Sequence, residues 1–592
     1  MVNFCRYTRS MTRRPVVIIV ALLAAALFVS FAGLVTLYLA VGREPAVPSR
    51  AALSLKVGGD IVEMPASDVV AYLSDARAPT VRGIVETLRK AKTDSRIHAV
   101  LLRPTGFSSP YWGKVQELRD AVIDFKESGK PVYAYLEFAG DREYYLASAA
   151  DKIFLMPAST LDLTGVATYQ VFLRGTFDKI GVTPDIHHVG DFKTASNQYT
   201  EKGYTPSHRA MDDWLNRDLY EQIVTGVAHG RKKTEAEVRQ LIDDGPFLAE
   251  NAVRAGLVDE VIYEDQIAER LKDDDARELN TVEGEDYGRV GGAGRRGPRL
   301  AVIYALGAIV SGSSGFDPLN GATVGSDTLI EAIRAARKDS SVRAIVLRVD
   351  SPGGSASASD AIWRELMLAR EDKPLIVSMS DLAASGGYYI AMPGHAIVAQ
   401  PSTLTGSIGI FGGKFITGGV YEKLGANIES TSIGRHAEMN SPARPYNPDE
   451  LKKVTEQLES FYTQFVGKVA KARGRTPDEI NAIAEGRVWT GRQASKNGLV
   501  DALGGLDTAV DLAKEKAGID EDESVQLVVY PAPKTFYEML SQFSGVRQQA
   551  ARAWLTMNLS GAERDALRLL RGPGALFRRG EPLALMPFTF LR

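Results

Sequence analysis

Leu88-Arg89-Lys90-Ala91-Lys92-Thr93-Asp94-Ser95-Arg96-Ile97-His98-Ala99-Val100-Leu101-Leu102-Arg103 returns later in the chain as Ile333-Arg334-Ala335-Ala336-Arg337-Lys338-Asp339-Ser340-Ser341-Val342-Arg343-Ala344-Ile345-Val346-Leu347-Arg348. Each copy closes a helical pattern, turns at Asp-Ser, and enters an apolar run of strand length. Further pairs keep the same order. Val57–Val62 resembles Ala305–Val310, Pro131-Val132-Tyr133 matches Pro374-Leu375-Ile376, and Tyr144-Tyr145-Leu146 matches Tyr388-Tyr389-Ile390. Ala255-Gly256-Leu257-Val258-Asp259 matches Asn497-Gly498-Leu499-Val500-Asp501. Ordered self-similarity at a near-constant spacing marks a tandem duplication. The repeats run from 51 to 280 and from 299 to 535, with a linker at 281–298 that ends in Gly-Gly-Ala-Gly-Arg-Arg-Gly-Pro and reads as flexible. Each repeat alternates strands with helices, which predicts an α/β fold with parallel sheets of βαβ units. In the second repeat, Thr328, Ile330, Ile333 and Ala336 suggest the apolar stripe of its first helix, and Ala344–Val349 and Leu375–Ser378 read as strands.

The two ends differ from the repeats. Residues 15–41 contain no charged residue, and Arg6, Arg9, Arg13 and Arg14 precede them. That run is longer than the ~20 residues needed to cross a bilayer. The basic flank places residues 1–14 in the cytoplasm and everything after about residue 42 outside. A removable leader would have a shorter apolar region, and Val41-Gly42-Arg43-Glu44 is a poor cleavage site. A retained single-pass anchor is therefore expected. Residues 536–592 form a tail read as helical, with Phe536, Met539, Leu540 and Phe543 on one face. The 592-residue chain has a net charge of −3, so nothing in its charge favours a nucleic-acid partner. Its one cysteine, Cys5, excludes an internal disulfide and zinc–thiolate sites.

Chemistry shows where the repeats disagree. Asp381-Leu382-Ala383-Ala384-Ser385-Gly386-Gly387-Tyr388-Tyr389 places a serine on a small-residue turn between a strand and a helix. Alone, Ser385 reads as a helix-capping serine. In the first repeat the same position is Asp141, within Gly140-Asp141-Arg142-Glu143. The reverse loss follows downstream, where Gly190-Asp191-Phe192-Lys193 stands opposite Gly434-Arg435-His436-Ala437. Alone, Lys193 reads as a surface lysine in a polar run. Together, two incomplete sites add up to one serine–lysine pair, a known form of serine catalysis. The lysine must then be neutral, so burial has to bring its pKa down from about 10.4. A Ser–His arrangement through His436 is the alternative; His395 lies too close to Ser385 along the chain to be an obvious base.

Ser351-Pro352-Gly353-Gly354 follows a strand, opens a helix and bares backbone N–H groups suited to an oxyanion. Its counterpart, Pro104-Thr105-Gly106-Phe107, lacks the double glycine. Thr403-Leu404-Thr405-Gly406-Ser407-Ile408-Gly409-Ile410 reads as a sheet-edge turn that could support the site or bind substrate backbone. Apolar extended peptides suit a pocket of Ala, Gly, Ile and Tyr near the serine. No cofactor and no metal-ligand spacing is evident.

The anchor, the tandem repeats, Ser-Pro-Gly-Gly, Ala-Ala-Ser-Gly-Gly-Tyr-Tyr and Thr-Gly-Ser-Ile-Gly together resemble the signal peptide peptidase A (protease IV) family. The resemblance implies a ClpP/crotonase-like fold in each repeat. It implies Ser385 as nucleophile, Lys193 as general base from the other repeat, Gly354 and Gly386 as oxyanion donors, and Ser407 as hydrogen-bond partner of the lysine. It further implies a homotetramer at the inner membrane, with the catalytic part periplasmic, degrading remnant signal peptides. The lysine segment, Gly-Asp-Phe-Lys-Thr-Ala, departs from an expected Gly-Lys-Tyr-Lys-Ser-Ala, which alters local charge while the lysine keeps its place. A crotonase-like acyl thioester enzyme and an inactive peptide-binding membrane scaffold are the rival readings.

Overall fold

The computed structural model describes residues 45–64, 79–272, 277–290, 297–317, 321–532, 581–587 and 590–591, together with Phe28. The duplication is visible as two sheets with one strand order. In the first repeat six parallel strands run Glu260–Val261, Lys152–Leu155, Val132–Leu136, Ile97–Phe107, Ala51–Gly59, Asn280–Glu283. In the second, Ala502–Leu503, Ala396–Ala399, Leu375–Ala384, Val342–Ser351, Arg299–Leu306 and Gln526–Tyr530 repeat that order, again parallel. Helices Val81–Thr93 and Ser326–Lys338 occupy equivalent places, each after the first strand of its sheet. The stripe of the second is Leu329, Ala332, Ile333 and Ala336, spaced i, i+3, i+4, i+7. Ile330 is half-buried and packs beside this stripe against the same core, so of the expected residues Thr328 alone drops out.

Two boundaries also change. Asn280–Glu283 is a strand, paired with Ala51–Gly59, and Gly284–Arg289 is a helix. The first ten residues of the expected linker thus complete the first repeat, as Gln526–Tyr530 completes the second. In the tail, Leu583–Leu585 is a strand rather than helix. The expected anchor at 15–41 lies, Phe28 aside, outside the described residues, as does the tail from 536 to 580. Among the described residues no helix is long and apolar enough to cross a membrane.

A third sheet joins the repeats. Thr183–Val189 of the first pairs antiparallel with Ile410–Ile416 of the second, in register from Thr183–Ile416 to Val189–Ile410. Leu583–Leu585 and then Gly353–Ser355 continue that sheet. The core is shared as well: Leu382, Ala384, Leu404 and Val488 are buried with the apolar residues of the first repeat. The two units therefore meet through apolar packing and continuous backbone hydrogen bonding, which fixes the loop after Val189 against the second repeat.

Candidate active site

Ser385 joins strand Leu375–Ala384 to helix Gly386–Ala391 at φ +56° and ψ −112°. A non-glycine residue held there costs on the order of 1–3 kcal/mol and needs firm surroundings. They are present. The Ser385 amide donates to Gly406 O at 2.7 Å, and Tyr389 N donates to Ser385 O at 2.9 Å. The small neighbours are required by close backbone approach. A Cβ on Gly387 would stand 2.6 Å from Ser351 O, and one on Gly386 would stand 2.7 Å from Ser359 Oγ.

Lys193 arrives from the other repeat, four residues beyond strand Thr183–Val189. Its side chain is fully buried. Nζ lies 2.7 Å from Ser385 Oγ, 3.0 Å from Ser407 Oγ, and 3.1 Å from Ser407 O. Ser407 itself sits at φ +51°, held by its amide donating to Arg487 O at 2.6 Å. The structure thus brings Ser385, Lys193 and Ser407 into one hydrogen-bonded cluster.

Electrostatics set this lysine apart. Burial pushes the Lys193 ammonium well below the usual lysine range. Lys114 is the contrast. Burial pulls it down too, but Asp350, Asp381 and Glu63 outweigh that and raise it, with Asp350 Oδ2 at 2.8 Å from its Nζ. Two lysines removed from water are driven in opposite directions, because among the described residues only Lys114 has carboxylates beside it. A neutral Lys193 can accept a proton from the Ser385 hydroxyl; a protonated Lys114 cannot act as a base. The histidine alternative finds no geometry here. His395 Nδ1 accepts from the Leu375 amide, and His436 lies 3.4 Å from Asp449.

The expected oxyanion elements also converge. A Cβ on Gly353, which has φ +97°, would be 2.1 Å from Ala584 O and 2.6 Å from Gly386 N. Gly354 pairs with Ile309 on one side and with Ala584 on the other. The double glycine therefore lets three backbone segments close around one point beside Ser385. In the first repeat carboxylates fill the equivalent places. Asp141 Oδ1 accepts from the Thr164 and Gly165 amides, and Glu143 accepts from Phe107 N and Gly140 N.

Sequence reasoning missed the clamp on Lys193. Phe192 N donates to Glu485 O at 2.9 Å, Gly486 N donates to Ile408 O at 2.8 Å, and the Arg487 guanidinium covers the Phe192 ring at 4.1 Å. Gly486 has φ +82°, and a Cβ there would stand 2.4 Å from Lys193 N and Cα. The only local signal was a glycine before the short apolar run Val488-Trp489-Thr490. Gly486→Val is expected to lower kcat/KM for a peptide reporter by about 100-fold, the cost of misplacing a catalytic group by about 1 Å. A melting curve near the native one would show that the loss is local. The pocket expectation also changes. Tyr388 and Tyr389 turn into the core, their hydroxyls donating to Leu499 O and Asp360 Oδ1.

A buried serine on a strained turn, with a lysine against it on a duplicated α/β scaffold, has the chemistry that a serine peptidase requires. The chain belongs to peptidase family S49, whose model matches residues 124–278 and 368–520. It is similar to the chloroplastic serine protease SPPA of Arabidopsis thaliana, at 37% identity over 76% of this chain and 68% of that protein. It is likewise similar to Protease 4 of Salmonella typhi, at 35% identity over 80% and 79% of the two chains. Among solved structures, a mutant of the 1510-N membrane-bound stomatin-specific protease aligns at 16% identity with a TM-score of 0.26, over 40% of this chain and all of that one.

Proposed function

We propose that this serine peptidase is a membrane-anchored endopeptidase of ClpP/crotonase-like architecture. In this reading it works as a homotetramer on the outer face of the cytoplasmic membrane. There it cleaves apolar peptides, remnant signal peptides among them, with a Ser385–Lys193 dyad. The observation that carries the reading is the 2.7 Å approach of Lys193 Nζ to Ser385 Oγ, with no carboxylate among the described residues shifting the lysine. Neutral Lys193 takes the hydroxyl proton while Oγ forms a bond to the scissile carbonyl carbon. The oxyanion faces the N–H groups of Gly354 and Gly386, each donor of this kind contributing about 3–4 kcal/mol. The C–N bond breaks as Lys193 returns the proton to the leaving amine. Water, deprotonated by Lys193 Nζ, then attacks the acyl carbon, and the acyl–Oγ bond breaks as Lys193 returns that proton to Ser385 Oγ. Ser407 positions Nζ through its hydroxyl and carbonyl. The uncharged run 15–41 supports the anchored placement.

The test is cleavage of an apolar fluorogenic peptide by the full chain. Turnover is expected for the wild type and its loss for Ser385→Ala. Full activity in Ser385→Ala would remove the serine from the mechanism. Peptide binding without cleavage by the wild type would favour the scaffold reading. Release of coenzyme A from an acyl thioester would favour the crotonase-like one.

A further inference from the structure

The chain's own residues 582–586 pair with the double-glycine strand beside Ser385. Leu583–Leu585 runs antiparallel to Gly353–Ser355, with Gly353 opposite Leu585, Gly354 opposite Ala584, and Ser355 opposite Leu583. The pairing extends at both ends: Ala356 N donates to Pro582 O at 3.3 Å, and Met586 N donates to Pro352 O at 2.8 Å. On its other edge the segment meets Ile410–Ile416, through Phe411 and Leu583. Strand addition of this kind is a common way to hold an extended peptide. Glu581, just before it, accepts from the hydroxyls of Ser355 and Ser357.

The register is specific. The Ala584 carbonyl oxygen is the backbone atom that a Cβ on Gly353 would strike, at the same point as Gly386 N. Side chains alternate as on any strand. Leu583 and Leu585 pack with Leu173, Phe177, Ile186 and Phe411, whereas Ala584 faces Ala356, Ile410, Val454 and Leu458. With the segment seated, Ser385 and Lys193 are fully buried, so nothing else can reach them.

We propose that Pro582–Met586 is an intramolecular occupant of the peptide groove. It lies in the register of a cleavable peptide with Ala584 at the position attacked by Ser385, and it must leave before another peptide binds. Identifying the groove as the substrate groove rests on the peptidase reading above. The seated segment also defines the ligand class: an extended peptide with a small central residue and large apolar residues on either side. Because the segment belongs to the same chain, its effective concentration is in the millimolar range. A free peptide of the same intrinsic affinity must therefore reach a comparable concentration to displace it.

The test separates binding from cleavage. In full-length chain carrying Ser385→Ala, affinity is measured by fluorescence anisotropy for the labelled peptide Glu-Pro-Leu-Ala-Leu-Met-Pro. Adding Ala584→Asp places a carboxylate among Ala356, Ile410, Val454 and Leu458, and is expected to tighten peptide binding by about 10-fold or more. Ala584→Leu, which crowds the same pocket without a charge, covers the case in which the acidic variant misfolds and is expected to act in the same direction. A peptide with leucine in place of its alanine is expected to bind the opened chain about 10-fold more weakly. Equal affinity with and without the substitutions overturns the proposal, and so does the absence of binding to every variant at about 1 mM peptide. With Ser385 restored, tighter binding unaccompanied by cleavage leaves the occupancy of the groove standing and removes the Ser385–Lys193 dyad reading instead.

Discussion

Lys193→Ala is expected to lower kcat/KM on an apolar peptide by about 10⁴-fold or more, the scale of removing the base from a serine–base pair. Lys193→Arg should be equally inactive, because a guanidinium stays protonated and cannot take the serine proton. The wild-type pH profile should show one ascending limb. Activity is lost as the pH falls through the Lys193 pKa and is present above it. Burial places that limb well below the ordinary lysine range. The same shift has a sign for stability. Between the lowered folded pKa and about 10.4 the unfolded chain binds a proton that the folded chain does not. Stability therefore rises with pH across that window, and at neutral pH Lys193 works against the fold. Lys193→Met, of similar length and without the charge, is expected to raise Tm at pH 7 while abolishing activity. The gap in Tm should narrow as the pH approaches about 10.4. Thermal melts of both proteins over that range check the sign.

What was legible in the sequence was whatever depends on neighbours along the chain. The Leu88–Arg103 and Ile333–Arg348 stretches each hold a helix end, a turn and a strand, so their periodicity survives folding and gives the duplication away. Ser385 and Lys193 were legible because the repeats lost them reciprocally, which is information about differences and needs no coordinates. The means of bringing them together was not. Thr183–Val189 and Ile410–Ile416 carry no pattern that names one another as partners, and their pairing, with the Glu485–Arg487 clamp, sets the position of Lys193. Gly486 looks like any turn glycine until Lys193 is found against it. Leu583-Ala584-Leu585 merges into a helical tail because three residues have no period of their own. Two neighbouring edges, Gly353–Ser355 and Phe411, decide its state. Tyr388 and Tyr389 read as groove residues by their nearness to Ser385, but a buried hydroxyl goes where an acceptor lies, which is the buried Leu499 carbonyl for Tyr388 and the partly exposed Asp360 carboxylate for Tyr389.

The repeats diverged in another place that local pattern could not price. Arg103 and Arg348 are aligned by the duplication, yet Arg103 pairs with the exposed Glu264, whereas Arg348 is buried between the repeats. Its guanidinium donates to Glu63 Oε2 at 2.9 Å and Oε1 at 2.8 Å, to Glu117 Oε2 at 2.6 Å, and to Ser378 Oγ at 2.8 Å. Both carboxylates belong to the first repeat and are, like the arginine, deeply buried. Burial pushes Glu63 up, but its two-pronged contact with Arg348 outweighs that and holds it down. For Glu117, burial together with the Glu63 charge prevails over Arg348 and pushes it up. Arg348→Met is therefore expected to cost about 3–5 kcal/mol, because it removes the cation bonded to both carboxylates and leaves Lys114, already shared with Asp350 and Asp381, as the neighbouring positive charge for Glu63. The loss is one of repeat docking. The strand that carries Arg348 lies beside Leu375–Ala384, which leads into Ser385, so peptidase activity should fall with the folded fraction. The cause is separable from lost packing. Adding Glu63→Gln and Glu117→Gln removes the stranded charge while keeping acceptors for the Ser380 hydroxyl and the Leu506 amide. The triple variant is expected to recover most of the midpoint lost by Arg348→Met in denaturant melts. If it melts no higher than the single variant, the cavity left by the guanidinium, and not the uncompensated charge, governs how the repeats hold together.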